Sequence, residues 1–298
     1  MNLYLLFDKK NWKKLLFVSK INKNNDNFEK QYIKSKNDQD VNIYGFYHAY
    51  CMVDNWEKLV FEQVNHIQES GLYSRITKLY CGALIKKGDI ETLKKLGGNK
   101  FEILFTSEDR TLFEFPTLIE MQKRCLQETF LGFYFHTKGI SWIKTPQVYN
   151  VGNTWRLMNE FFIFDKYKLA IHSLNEGFDI YGTNYQEIFN DQFRIIGGNF
   201  FWFRSDYVKN IPELKVHKEN RNLSETWICS NTHNVYDPFS FSGNTRYDSI
   251  PSELYIQSGS KAKRIFLSIK IYFSRFNYLF KRLFNLKVNI INPAGTIK

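Results

Sequence analysis

Apolar residues along the chain follow two spacings. The runs VNIYGFYHAY (41–50), ITKLYCGAL (76–84), KFEILFTS (100–107) and GFYFHT (132–137) are short and rich in β-branched and aromatic residues, as buried strands are. Between them the spacing changes to threes and fours. Trp56, Leu59, Val60, Val64 and Ile67 share one face of WEKLVFEQVNHIQES (56–70), which Gly71 ends. A short charged helix from Ile90 to Leu96 stops at Gly97 and Gly98, and Leu118 to Glu128 is helical. This alternation predicts an α/β fold with a Rossmann-type, mostly parallel sheet covered by helices on both faces. Ligands of such sheets bind beyond the carboxyl ends of the strands, where connections diverge. The loops to search are therefore Tyr47 to Asn55, Thr106 to Arg110 and His136 to Ser141.

The two ends of the chain differ from this body. Asn22 to Asp40 is polar, rich in Asn, Lys and Asp, and lacks periodicity, so residues 1–40 are expected to be a basic arm or linker. At the other end, Ile265, Ile269, Tyr272, Phe276, Leu279, Phe280 and Leu283 form one helical stripe. Lys263, Arg264, Lys270, Arg275, Lys281 and Arg282 fall opposite it. The expected organisation is an arm at 1–40, one folded domain at 41–258 and a basic amphipathic segment at 259–298. A helix over 261–287 of this kind either lies on an anionic membrane surface or packs its stripe on the domain.

Charge follows the same division. Of 298 residues, 41 are Lys or Arg and 30 are Asp or Glu, a formal net charge of +11. Residues 1–40 carry nine basic and five acidic groups, and 260–298 carry nine basic and none acidic, which leaves 23 against 25 in the body. A nucleic-acid binder is expected to carry its cations on the folded face, so no nucleic-acid partner is expected. Cys51, Cys81, Cys125 and Cys229 are widely spaced, with no CxxC pair, and suit a reducing cytoplasm. Asp8, Lys9 and Lys10 interrupt the apolar start, so no secretion signal is expected. No apolar stretch is long enough to predict a spanning helix.

A series of blocks occurs in order: GFYHAY with Asn55–Trp56, EQ and SGLY (62–73), EFPTL (114–118), FYFHTKG (133–139), WR (155–156), YGTNY (181–185), GGNFFWFRSDYVKNIP (197–212) and SETW (224–227). Over roughly 41–230 the sequence resembles a bacterial family of GT-A-type glycosyltransferases from capsule, O-antigen and related polysaccharide loci, with similar blocks in the rhamnan synthesis F group. The resemblance implies a GT-A-like fold, a nucleotide-sugar donor and a saccharide acceptor.

Glycosyl transfer needs a positive partner for the departing diphosphate, a base for the acceptor hydroxyl and a pocket around an oxocarbenium-like carbon. Most GT-A enzymes hold a divalent metal, Mn or Mg, with an Asp-x-Asp at the end of the fourth strand. Here His136, Thr137, Lys138 and Gly139 stand there, with no paired carboxylate, so no metal ligands are assigned; the open alternative is a divalent metal, Mn or Mg, with His136 as a ligand. Lys138 is the candidate for the diphosphate, with Gly139 allowing close approach and His136 bonding phosphate or sugar. The alternative is a plain strand-end turn. In IGGNFFWF (196–203), Gly198 permits close approach, Asn199 suits hydroxyls and Trp202 suits a sugar face, against a buried strand with a bulge. Glu225 is the first candidate base and Asp191 the second, Glu225 being equally readable as an early helix residue after Ser224. Tyr47, His48 and Asp54 are candidates for the donor nucleotide, and Arg156 for phosphate. Either stereochemical course fits these residues.

Two readings follow. One is a cytoplasmic glycosyltransferase, peripheral at the inner face of the membrane, that passes sugar from a nucleotide donor to a saccharide, probably lipid-linked, in cell-surface polysaccharide synthesis. The other is a non-catalytic saccharide- or nucleic-acid-binding protein on a degenerate transferase fold.

Overall fold

The computed structural model describes residues 19–34, 41–139, 146–188, 193–241, 248–256, 263 and 265–271. Contacts divide the chain into two compact units. The larger comprises Asn22–Ile140 and Asn159–Pro238, the smaller Met1–Ile21, Ser141–Met158 and Phe239–Lys298.

In the smaller unit, β1 (Ser19–Ile21) pairs antiparallel with a strand at Phe239–Phe241. Trp155, fully buried, donates its indole N–H to the Asp248 carbonyl at 3.0 Å and sets its ring edge-on to Phe241. Lys263 and residues 265–271 are helical, and Ile265, Phe266 and Ile269 are exposed there. The rest of the expected C-terminal helix lies outside the described residues.

The larger unit begins with α1 (Asn25–Lys34), a helix where the polar composition predicts a linker. Among the described residues, Phe28 and the polar side chains of Asn25, Glu29 and Gln31 hold it to the rest of the unit, a set with no apolar period in the sequence. Phe28 stacks on Tyr236 and meets His172 edge-on, while the Asn25 amide donates to the Pro238 carbonyl and accepts from the Tyr236 hydroxyl.

The expected alternation then appears as β2 (Ile43–Cys51), α2 (Trp56–Glu69), a single turn α3 (Leu72–Arg75), β3 (Lys78–Ile85), α4 (Ile90–Gly97), β4 (Phe101–Ser107), α5 (Phe115–Gln127) and β5 (Leu131–His136). These four strands are mutually parallel, in the order β5, β2, β3, β4. The chain continues through α6 (Pro146–Glu160), a π-helical turn at Phe161–Asp165, α7 (Tyr167–Asn175), β6 (Ile180–Tyr181), a small hairpin of β7 (Gln186–Ile188) and β8 (Phe193–Ile195), β9 (Phe201–Arg204), α8 (Ser205–Lys209), α9 (Asn222–Thr226) and β10 (Val235–Tyr236). β9 docks antiparallel on β5 and β6, and β10 completes a sheet of seven strands. The protein is thus α/β, with a mostly parallel sheet.

Strand alternation sorts the core into two layers. Tyr44, Phe46, Tyr134, Phe201 and Phe203 pack with Leu118 and Met121 of α5. On the opposite face Tyr47 stacks on Phe135 at 4.4 Å and donates its hydroxyl to Gln63 of α2. All four cysteines are free and buried. Among the described residues no helix is long and apolar enough to cross a membrane.

Candidate active site at the carboxyl ends of the central strands

The connection from β2 leads to β3 on one side, while β5 lies on the other, so the chain parts at the carboxyl ends of β2 and β5. That is the switch point at which open α/β sheets bind ligands. The two ends are tied together. His48 and His136 are register partners, the Thr137 amide donates to the His48 carbonyl at 3.1 Å, and the Tyr50 amide donates to Thr137 Oγ1 at 2.8 Å.

At the centre stands Glu114, which no sequence argument singled out. It immediately precedes α5, after Phe113, whose φ of 48° is unusual for a bulky residue and marks local strain. Glu114 is only 5% exposed. Its Oε2 accepts from the Asn199 amide at 2.7 Å and from the Tyr134 hydroxyl at 3.2 Å. Its Oε1 faces His136 Nδ1 and Arg221 Nη2, each at 3.7 Å. Burial acts to raise the Glu114 pKa, but His136, Arg221, His48 and the Asn199 hydrogen bond act against it and hold the carboxyl down at about 2. Glu114 is therefore a buried carboxylate.

His136 is itself pulled below the ordinary histidine value, first by burial. Its Nε2 lies 3.0 Å from the Gly198 carbonyl. A carbonyl only accepts, so Nε2 carries a proton, and that edge of the ring is committed to the protein rather than to a ligand. His48 is further inside. Its Nδ1 is 2.8 Å from Thr117 Oγ1, and burial lowers its pKa to about 4, which keeps it neutral at pH 7. Gly82 on β3 is required for that contact, since a Cβ there would overlap Thr117 Oγ1.

Lys138 follows the end of β5, and Glu225 lies on α9. Burial lowers the Lys138 pKa, and the charges of Glu225 and Glu114 act in the opposite direction. Its ammonium makes no hydrogen bond or ion pair among the described residues. Glu225, about two-fifths exposed, lies 3.6 Å from Arg221 Nη2. The turn before β9 lies beside Lys138. Gly198 has φ 90°, and a Cβ there would fall 2.5 Å from Asn159 Nδ2 and 3.2 Å from Lys138 Cε. Asn199 also has positive φ, 57°, which aims its amide at Glu114. Asn199 Oδ1 and Asn159 Nδ2 are buried with no hydrogen-bond partner among the described residues, and Asn159 Oδ1 is anchored by Thr183 at 2.7 Å.

Glu225 also borders a cavity of about 330 Å³ lined by Phe193, Ile195, Asn220, Leu223 and Thr226. A second cavity of similar size shares Phe193, Leu223 and Thr226 and extends to Trp227.

The structure thus gathers Lys138, Glu225, His136, Gly198, Asn199 and His48 and adds Glu114, Arg221 and Asn159. Other expected residues fall elsewhere. Tyr47 is not in a loop: β2 runs on to Cys51, and alternation turns Tyr47 into the layer under α2. Trp202 is likewise core, fully buried, with Nε1 donating to the Ile163 carbonyl at 2.9 Å and its ring against Phe133. Neither presents a face to a ligand. Asp54 is exposed in the turn after β2. Arg156 belongs to the smaller unit, where its guanidinium holds Asn153 at 2.7 and 3.1 Å. Asp191 and Ser141 lie outside the described residues.

Among the described residues no group of three or more His, Cys, Asp or Glu side chains is arranged to hold a metal ion. Together with His-Thr-Lys-Gly at the end of β5, the residues present do not fit the Asp-x-Asp type of metal site. No protein-family model matches the chain, and no curated protein matches it.

Proposed function

We propose that the protein is a nucleotide-sugar-dependent glycosyltransferase with a GT-A-like donor half. The observation that carries the reading is the buried carboxylate of Glu114 at the sheet's switch point, 3.7 Å from both His136 and Arg221, with Arg221 3.6 Å from Glu225 and Lys138 set against Gly198. Lys138 takes the diphosphate as a point charge and offsets the negative charge that grows there as the anomeric C–O bond breaks. That bond's electron pair leaves on the diphosphate. The acceptor oxygen forms the new bond to the anomeric carbon, and Glu225 receives the hydroxyl proton. The cavity beside Glu225 holds the saccharide acceptor. Gly198 keeps the floor low enough for the donor sugar, and Asn199 Oδ1 is the buried acceptor nearest to it.

The protein works at the cytoplasmic face of a membrane, on a lipid-linked acceptor. The exposed Ile265, Phe266 and Ile269 beside Lys263 support this, since a basic amphipathic helix concentrates the enzyme where that acceptor lies. Replacing Ile265 and Ile269 by Asp is expected to release the protein from vesicles containing anionic lipid. Unchanged co-sedimentation would reject the membrane role.

The test of the activity is nucleotide release from UDP-, GDP-, CDP- and dTDP-sugars, with lipid extract as acceptor, with and without EDTA. Release from one donor that survives EDTA, is lost in Lys138→Ala and falls in Glu225→Gln is the expected result. Release abolished by EDTA would overturn the role of Lys138. No release and no donor binding by calorimetry would replace the transferase with a non-catalytic saccharide-binding protein.

A further inference from the structure

Arg221 precedes α9 and is about half exposed. Its Nη2 lies 3.7 Å from Glu114 Oε1 and 3.6 Å from Glu225 Oε1, and its guanidinium carbon is 5.9 Å from the centroid of the strained Phe113 ring. Neither carboxylate is at hydrogen-bond distance, so the fork of five N–H donors makes no side-chain hydrogen bond among the described residues. The Lys138 ammonium, beside Gly198, likewise makes no hydrogen bond or ion pair among the described residues. Arg221 therefore lies between two carboxylates without a hydrogen bond to either, and the donors of both cations remain available. Such an arrangement holds charge in place but leaves the geometry open. Its guanidinium fills no core space, and Glu114 takes its hydrogen bonds from Asn199 at 2.7 Å and Tyr134 at 3.2 Å rather than from Arg221.

A ligand that satisfies a planar fork on one side and an ammonium on the other must have several anionic oxygens spread over a few ångströms, which describes a diphosphate. We infer that Arg221 is a second diphosphate-binding cation, opposite Lys138, held between Glu114 and Glu225 until the anion takes it. Transfer of the guanidinium to the diphosphate also removes the cation from Glu225, so the carboxylate becomes available to the acceptor hydroxyl only once the donor is seated. The inference rests on the transferase reading for the identity of the anion and on the geometry for the donors.

The experiment is calorimetric titration of the full-length protein with inorganic pyrophosphate, at fixed salt. Arg221→Gln is expected to weaken binding by about 10- to 100-fold, the range of a lost charge-assisted pair. Arg221→Lys, which keeps the charge without the fork, is expected to recover part of it. Glu225→Gln removes the competing carboxylate and is expected to tighten pyrophosphate several-fold. A purely structural Arg221 would not give that opposite sign. Near-wild-type affinity in Arg221→Gln, weaker binding in Glu225→Gln, or no pyrophosphate binding by the wild-type protein would each overturn the inference. The two proposals fail separately. Nucleotide release by a wild-type enzyme whose pyrophosphate affinity ignores Arg221 removes only this one. Arg221-dependent pyrophosphate binding with no release from any sugar donor removes the transferase and leaves the anion site.

Discussion

Replacing Glu114 by Ala and by Gln separates the two things this carboxylate does. Alanine leaves the Tyr134 hydroxyl buried without its acceptor and the Asn199 amide with only the Ser224 carbonyl, at 3.4 Å. Each lost partner costs about 1–3 kcal/mol and the vacated volume adds to it, so Glu114→Ala is expected to lose about 3–5 kcal/mol. Glutamine keeps an oxygen for both donors and removes only the charge. The folded pKa of Glu114 is about 2, below the usual carboxylate value, so its charge stabilises the fold above the unfolded value near 4.5. That contribution drains away as pH falls toward 2. The shift corresponds to roughly 3 kcal/mol at pH 7, of which about 2 is gone at pH 3. Urea unfolding followed by tryptophan fluorescence, at pH 7 and at pH 3, measures both effects. Wild type is expected to exceed Glu114→Gln at pH 7, and most of the gap is expected to close at pH 3. A gap independent of pH would refute the ionised state of Glu114, and a loss under about 1 kcal/mol in the alanine variant would refute its place in the network.

Three other outcomes are expected. Gly198→Ala meets both a left-handed φ and the Asn159 amide, and should cost about 1–3 kcal/mol in chemical denaturation while lowering pyrophosphate affinity through displaced Lys138. His66 is lowered by burial but raised more strongly by Asp165 and Glu160, to about 9. Its folded pKa exceeds the unfolded one, so its contribution is complete below pH 6.5 and is lost as pH rises through 9; the stability gap between wild type and His66→Gln should shrink from pH 6 to pH 10. Trp202→Phe should lower the melting temperature through lost volume and an unpaired Ile163 carbonyl, with pyrophosphate affinity unchanged, as a residue on the far face of the sheet requires.

The parallel half of the sheet was legible because each strand there is six residues or longer and each crossover helix shows its stripe. The expected runs at 41–50, 76–84, 100–107 and 132–137 became Ile43–Cys51, Lys78–Ile85, Phe101–Ser107 and Leu131–His136. β6 and β10, with two residues each, carry no period to read, and α1 is held by contacts with residues some two hundred positions away. At the site, Lys138 and Gly198 were legible from strand-end position and glycine. Tyr47 and Trp202 were misplaced for one reason: their aromatic chemistry suits a ligand, but alternation in a two-faced sheet decides which side they occupy, and sequence alone does not say which face carries the site. Glu114 and Arg221 matter through charges that meet only in three dimensions.

The antiparallel seating of β9 between β5 and β6 bears on the order in which the molecule assembles. The parallel strands, with α2, α4 and α5 between them, come from one continuous stretch, 43–136, whereas Asn199, Arg221 and Glu225 lie well downstream. Until β9 pairs with β5, Glu114 lacks the Asn199 amide and has only the Tyr134 hydroxyl and the two histidines beside it. In a chain that has collapsed only as far as residue 136, that carboxyl is therefore expected to titrate above its folded value of about 2, nearer the ordinary carboxylate value. Docking of β9 is then a proton-releasing step in acid, where that carboxyl is still partly protonated, and refolding there should slow at that stage while the earlier collapse keeps its rate.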